Sequence, residues 1–119
     1  MQTGAQAYAR MAQTTANPRE RDAQMLLRAA ARFAAAHTAT PFDRAGARAA
    51  AEFNRKLWTV FHSAVSRPEN PLDATTKENL RNIALFVMRR SSMVEVDPKP
   101  ELLPALIDIN RNIAEGLRG

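Results

Sequence analysis

Apolar residues recur at helical spacing along most of the chain, and no segment alternates apolar and polar residues as a strand does. Prolines and cap residues divide this pattern into a short leading helix at residues 4–13 and four longer helices. The longer helices are expected at residues 18–37, 44–66, about 74–93 and about 100–117. Their short connections favour antiparallel neighbours. We therefore predict an all-α fold, a small helical bundle of four main helices plus a short N-terminal helix, in a single domain over residues 1–119.

Helix starts are indicated by residues that satisfy the first backbone N–H groups. Asn17 and Pro18, with Glu20 following, resemble a capping box. Asp43 is the expected cap of the next helix, and either Asp73 or Thr75 caps the third long one. In the last helix, Pro104 is expected in or just after the first turn.

The apolar residues predict which face of each helix is buried. In the second long helix the expected inner stripe consists of Ala50, Phe53, Leu57, Val60 and Ala64. The arginines of this helix should then line its solvent-exposed back. The third long helix is expected to bury Leu80, Ile83, Ala84 and Val87.

Composition narrows the classes of function. Apolar residues make up 45% of the 119 residues, which argues for a folded protein, and there is no cysteine. Positive charge is concentrated in residues 1–68, which hold ten Lys/Arg and four Asp/Glu, against seven and eight in residues 69–119. The N-terminus has no secretory signal pattern, and no apolar run is long enough to span a bilayer. We expect a cytoplasmic protein without membrane insertion.

The sequence offers little for catalysis or metal binding. His37 and His62 are isolated, the carboxylates are scattered, and no glycine-rich loop could hold a phosphate. We therefore expect no enzyme activity, no catalytic or metal site, and no cofactor.

Several residues suggest a surface for a partner protein, because they lie off the predicted inner stripes or are polar within them. Such apolar residues are explained either by burial on two sides within the domain or by a flank that accepts an amphipathic helix. Two of these residues are asparagines, Asn54 and Asn110. Their side chains either form hydrogen bonds within the domain, which is the commoner outcome, or orient a partner backbone. The candidate partner-binding residues are Asn54, Trp58, Phe61, Phe86, Leu103, Ile107 and Asn110.

Arginines on the backs of two helices suggest an alternative, a nucleic-acid surface that follows a phosphate backbone. The candidate residues are Arg21, Arg28, Arg32, Arg44, Arg48 and Arg55. A solvated charged face is the commoner explanation, and few aromatic residues are available to stack on bases. Nucleic acid is therefore an unlikely partner, although the sequence does not exclude it.

Five segments of mixed apolar and polar residues follow one another along the chain. Tyr8 precedes the Asn17–Glu20 helix start. An Asn-Arg-Lys-Leu-Trp segment then ends at Trp58, and an Ile-Ala-Leu-Phe-Val segment ends at Val87. The last is Leu-Ile-Asp-Ile-Asn-Arg, from Leu106, followed by Ile113 and Gly116-Leu117. In this order the segments resemble the FlaF family of flagellar biosynthesis proteins, and the resemblance covers nearly the whole chain.

The resemblance implies a cytoplasmic, non-enzymatic flagellar assembly factor. Proteins of this family are needed for flagellin production and export, act alongside the translational regulator FlbT, and resemble secretion chaperones that bind flagellin. The expected partner is flagellin, through its amphipathic terminal helices, with a possible functional link to FlbT. Two alternatives stay open: an RNA-binding post-transcriptional regulator of flagellin expression that uses the Arg-rich helix faces, and a subunit of a larger export complex.

Overall fold

The computed structural model describes Gly4 and residues 18–119. Four α-helices and one 3-10 turn follow one another in this part of the chain, which contains no strand. They are α1 (Pro18–Thr38), α2 (Arg44–Val65), α3 (Ala74–Val96), the turn Pro100–Leu102 and α4 (Leu103–Arg118). The predicted all-α fold with four main helices is thereby confirmed. The predicted leading helix at residues 4–13 falls outside the described residues except for Gly4.

Carboxylate side chains cap two of the four helices as the sequence predicts. Asp43 Oδ1 accepts a hydrogen bond of 2.9 Å from the Gly46 backbone N–H at the start of α2. Asp73, rather than Thr75, caps α3, and its Oδ1 accepts a 2.7 Å bond from the Thr76 N–H. Each bond satisfies one of the N–H groups that a helix leaves unpaired at its start. In α4, proline occupies the first turn, where a helix tolerates it.

The C-terminal end of α3 lies one turn beyond its predicted position near Met93. The helix continues to Val96, and the Asp97 N–H still donates to the Met93 carbonyl. Pro98 then follows and disfavours further helix. Two arginines of α2 donate to carbonyl oxygens at this end, a contact between distant parts of the chain that local spacing does not reveal.

The four helices pack as two long pairs. Helix α1 packs along α4, and α2 packs along α3, while a smaller contact between α1 and α2 joins the pairs. Helix α3 makes few contacts with α4. The side of α3 that faces away from α2 is therefore open to solvent.

The buried face of α2 differs from the predicted inner stripe. Ala50 is buried, but Phe53, Leu57 and Ala64 are only partly buried and Val60 is 64% exposed. The residues that the fold buries on this helix are Ala47, Ala50, Ala51, Asn54, Trp58 and Val65. Their centre is rotated by about a quarter turn from the predicted stripe, at about 100° per residue. The flank predicted to offer Trp58 to a partner is in fact the centre of the packing face.

Two glycines in helices should respond oppositely to alanine. A Cβ at Gly46 would overlap the Asp43 carboxylate, whereas nothing lies within 4 Å of a Cβ at Gly116. Gly116→Ala should raise the free energy of unfolding by about 0.5 kcal/mol through helix propensity, since it lies in the last turn. Gly46→Ala should give no gain, because displacing the capping carboxylate costs about 1 kcal/mol. Urea denaturation of both variants tests this, and an equal gain at the two sites would contradict the cap assignment.

Candidate functional site

A hydrogen-bonded network of buried side chains lies where the four helices meet. Asn110 on α4 donates from Nδ2 to Asn54 Oδ1 on α2 at 2.7 Å, and to the Leu26 carbonyl on α1 at 3.4 Å. Trp58 Nε1 donates to Asn110 Oδ1 at 3.0 Å. Asn54 Nδ2 completes the network by donating to Ser91 Oγ on α3 at 3.2 Å. One network therefore connects residues of all four helices.

The network satisfies its own polar groups. Asn54, Ser91 and Asn110 are completely buried, and no buried side-chain N or O atom among the described residues lacks a hydrogen-bond partner. A buried amide without partners would cost about 1–3 kcal/mol, so this closure fixes how the helices align. The asparagines therefore follow the commoner of the two predicted outcomes, bonding within the domain.

Burial removes most of the seven predicted partner-binding residues from the surface. Asn54, Trp58, Leu103 and Asn110 have at most 1% of their surface exposed, and Ile107 has 7%. These five side chains pack between helices and have no face on which a partner could dock without opening the domain. These five residues therefore do not form a partner surface as predicted. The wide apolar faces of α2 and α4 are explained by burial on two sides within the domain.

The other two predicted partner residues are aromatic rings nearer the surface. Phe61 is partly buried and stands edge-on to the Trp58 ring, with 5.5 Å between centroids. Phe86 is 41% exposed, and the Arg90 guanidinium lies 5.0 Å from its ring centroid. Phe86 alone of the seven belongs to an exposed apolar surface.

This surface, which we call the outer α3 face, continues along the helix from Phe86. It comprises the exposed apolar residues Leu85 (49%), Phe86, Met93 (48%) and Val96 (82%), with Arg89 and Ser92 between them. At about 100° per residue these positions share one side of α3, opposite the residues that pack inward. The sequence interpretation missed Leu85, Met93 and Val96. Met93 and Val96 follow Leu85 by 8 and 11 residues, and this helical spacing indicated a second apolar side on the helix.

A shallow depression lies at the C-terminal half of the outer α3 face. It is lined by Arg89, Ser92, Met93 and Val96, and its lining is mostly apolar. Isolated apolar side chains are ordinary on protein surfaces, but several along one helix side form the kind of patch that marks an interaction site. The depression therefore lies within the exposed apolar row of α3.

The α2 arginines predicted for nucleic-acid binding make contacts at the C-terminal end of α3. Arg44 donates to the Pro98 carbonyl at 2.7 Å and to Asp97 at 3.1 Å, and Arg48 donates to the Glu95 carbonyl at 2.9 Å. Cationic groups are favourable there because the carbonyls at a helix C-terminus carry partial negative charge. The hydrogen bond from Arg44 lowers the pKa of the Asp97 carboxyl.

Arg55 of α2 forms a bidentate contact with α3. Its guanidinium donates from Nε at 2.7 Å and from Nη2 at 3.2 Å to the Glu95 carboxylate. This bond raises the pKa of Arg55. Arg44 and Arg48 are nevertheless exposed, as predicted for the back of α2, whereas Arg55 is partly buried in the α2–α3 contact.

On α1 the predicted basic surface does reach solvent. Arg21, Arg28 and Arg32 are exposed and lie on one side of the helix. The Arg32 guanidinium stacks over the Phe53 ring at 4.7 Å. Three of the six arginines proposed for nucleic acid thus share an exposed helix side.

Neither a metal-binding cluster nor a membrane-spanning helix occurs among the described residues. Within residues 18–119 no three His, Cys, Asp or Glu side chains group so that they could hold a metal ion. None of the helices in this part of the chain is both long and apolar enough to cross a membrane. Two exposed helix sides are described above, an apolar one on α3 and a basic one on α1.

The fold and these surfaces define a class, a small all-α protein with an exposed apolar side on one helix. The family model described as flagellar protein FlaF matches residues 4–117, nearly the whole chain. The chain therefore belongs to the FlaF family of flagellar proteins, as the resemblance implied. Neither a curated protein nor a solved structure matches it.

Proposed function

We propose that this protein is a cytoplasmic, non-enzymatic flagellar assembly factor that binds flagellin as a chaperone and promotes its synthesis and export. Membership of a flagellar protein family supports the pathway. The outer α3 face supports the mode of action, since exposed apolar surface favours the binding of another protein. Family membership alone supports only a flagellar role. The exposed apolar row on α3 is the single observation that supports protein binding.

The proposed mechanism is non-covalent burial. The terminal segments of flagellin are amphipathic helices that seek a partner before they polymerise. An apolar stripe on such a helix would be covered by the outer α3 face, in the way that a helix is recognised by a complementary apolar surface. Covering the stripe would keep flagellin monomeric until export. A functional link to FlbT would then connect the supply of flagellin to its synthesis.

The RNA-binding alternative has less support from the structure than from the sequence alone. Arg44, Arg48 and Arg55 are bonded to the end of α3, so a phosphate backbone would have to compete with carbonyls and carboxylates for them. The exposed arginines of α1 remain, over a length of about three turns. We therefore place flagellin binding first and keep message binding through α1 as the second candidate.

Calorimetric titration of purified flagellin monomer into this protein tests the proposal. We expect binding that survives high salt and has a negative heat-capacity change, because apolar surface is buried. The absence of binding at both moderate and high salt would contradict it. The second candidate is tested with flagellin leader RNA, whose binding should fall steeply as salt rises and be lost in an Arg28→Glu/Arg32→Glu variant. Co-purification with export components in the absence of flagellin would instead favour the export-complex alternative.

A further inference from the structure

We infer that the outer α3 face is the docking site for a single amphipathic helix whose apolar stripe is bordered by carboxylates. The inference rests on the proposed function, in which that helix belongs to flagellin. It adds where the partner binds and what chemistry the partner must present.

The size of the face fits a helix of about three turns. Leu85 and Val96 are eleven residues apart, which corresponds to about 17 Å along α3. Leu85 and Phe86 form one end of the apolar row, and Met93 and Val96 form the other. Side chains of one helix pack into the grooves of another, and the shallow depression beside Met93 and Val96 accepts one such side chain.

The charges beside the row select the partner. Between Leu85 and Val96 the charged residues are Arg89, Arg90 and Glu95, and the Glu95 carboxylate is already bonded by Arg55. Arg90 stacks on the Phe86 ring, and Arg89 lines the depression. The face therefore presents apolar surface with positive charge beside it, which is complementary to an apolar stripe bordered by Asp or Glu.

The same charges argue against a second copy of this chain as the occupant. Two copies that met through this face would bring Arg89 and Arg90 of both into one interface. Glu95, the carboxylate within this stretch, is held by Arg55 in each copy. Like charges brought together in a contact destabilise it, so self-association through this face is disfavoured.

The test compares flagellin affinities of matched variants by calorimetry. Met93→Asp should weaken binding by about tenfold or more, because it replaces an apolar contact with a like-charged group facing the partner's carboxylates. Arg89→Glu should weaken it for the same electrostatic reason. Val60→Asp is the matched control for Met93→Asp, since Val60 is an exposed apolar residue on α2, and Arg28→Glu on α1 is the control for Arg89→Glu. Both controls should bind within about twofold of the unchanged protein.

The outcomes separate this inference from the proposed function. If the unchanged protein binds flagellin and both α3 variants, folded by circular dichroism, bind equally well, the docking site is overturned while flagellin binding stands. If the unchanged protein does not bind flagellin, the proposed function and this occupant fall together. If sedimentation shows a dimer that Met93→Asp dissociates, the face is a contact between copies of the chain, and the inference is overturned in that way.

Discussion

Trp58→Ala should lower the free energy of unfolding by about 3–5 kcal/mol, the range for removing a buried aromatic side chain. Trp58 is the largest completely buried side chain among the described residues. Its ring packs edge-on to Phe61, and its Nε1–H is bonded to Asn110 Oδ1. The variant leaves a cavity and also an acceptor without its donor. A domain of this size has a total stability of roughly 6–18 kcal/mol, so the loss is a large fraction of it.

Urea denaturation followed by circular dichroism measures this loss, because the variant has no tryptophan for fluorescence. Val60→Ala, on the exposed side of the same helix, is the control and should change stability by less than about 0.5 kcal/mol. A loss below about 1.5 kcal/mol for Trp58→Ala would contradict the assignment of Trp58 to the core. If Trp58→Ala also weakens flagellin binding, the fraction of unfolded protein must be measured first, because unfolding alone would reduce binding.

Asn110→Leu is expected to lower the free energy of unfolding by roughly 2–6 kcal/mol, although leucine is apolar and of similar size. Asn110 bonds to Trp58, Asn54 and the Leu26 carbonyl from the centre of the fold. With leucine there, the Trp58 N–H and Asn54 Oδ1 become buried groups without partners, at about 1–3 kcal/mol each.

A double-mutant cycle shows whether the cost comes from the network. Asn54→Leu combined with Asn110→Leu should cost less than the sum of the two single changes, by about 0.5–3 kcal/mol, since removing both amides removes their mutual need for a partner. Asn112→Leu is the matched control, because Asn112 is exposed on the same helix. Additive losses in the cycle would mean that the two amides do not act on each other.

Helix positions could be predicted from the sequence because their causes are local. A capping aspartate and a following glycine or threonine lie within four residues of each other, as at Asp43 and Asp73. The end of α3 was placed about one turn early. The Glu95 carbonyl in its last turn accepts from Arg48, and the Pro98 carbonyl just beyond it accepts from Arg44, some 50 residues away in the chain. No local signal reports such a contact.

The orientation of α2 was harder to predict because two of its sides are apolar. Val60 and Trp58 are consistent with different buried stripes, and helical periodicity alone does not choose between them. The fold buries the side that contains Asn54, a residue that favours solvent when considered singly. Its burial is explained only by Ser91 and Asn110, which come from two other helices.

The candidate site was predicted only through Phe86. The polar residues in the motifs that resemble the FlaF family, Asn54 and Asn110, were expected to face either the core or a partner, and they hold the core together. The apolar side chains that do face outward, such as Met93 and Val96, lie near or beyond the predicted end of α3. The error of about one turn in that boundary left Val96 outside the predicted helix, although Leu85 and Met93 lay within it.

We propose that flagellin binds the outer α3 face while the core network stays closed. Methyl NMR of the methionine-labelled protein distinguishes these two regions, because Met93 lies on that face whereas Met25 and Met88 are partly buried elsewhere. On addition of flagellin monomer, the Met93 methyl resonance should shift or broaden while those of Met25 and Met88 stay in place. A complex that forms with the Met93 resonance unchanged would contradict the account.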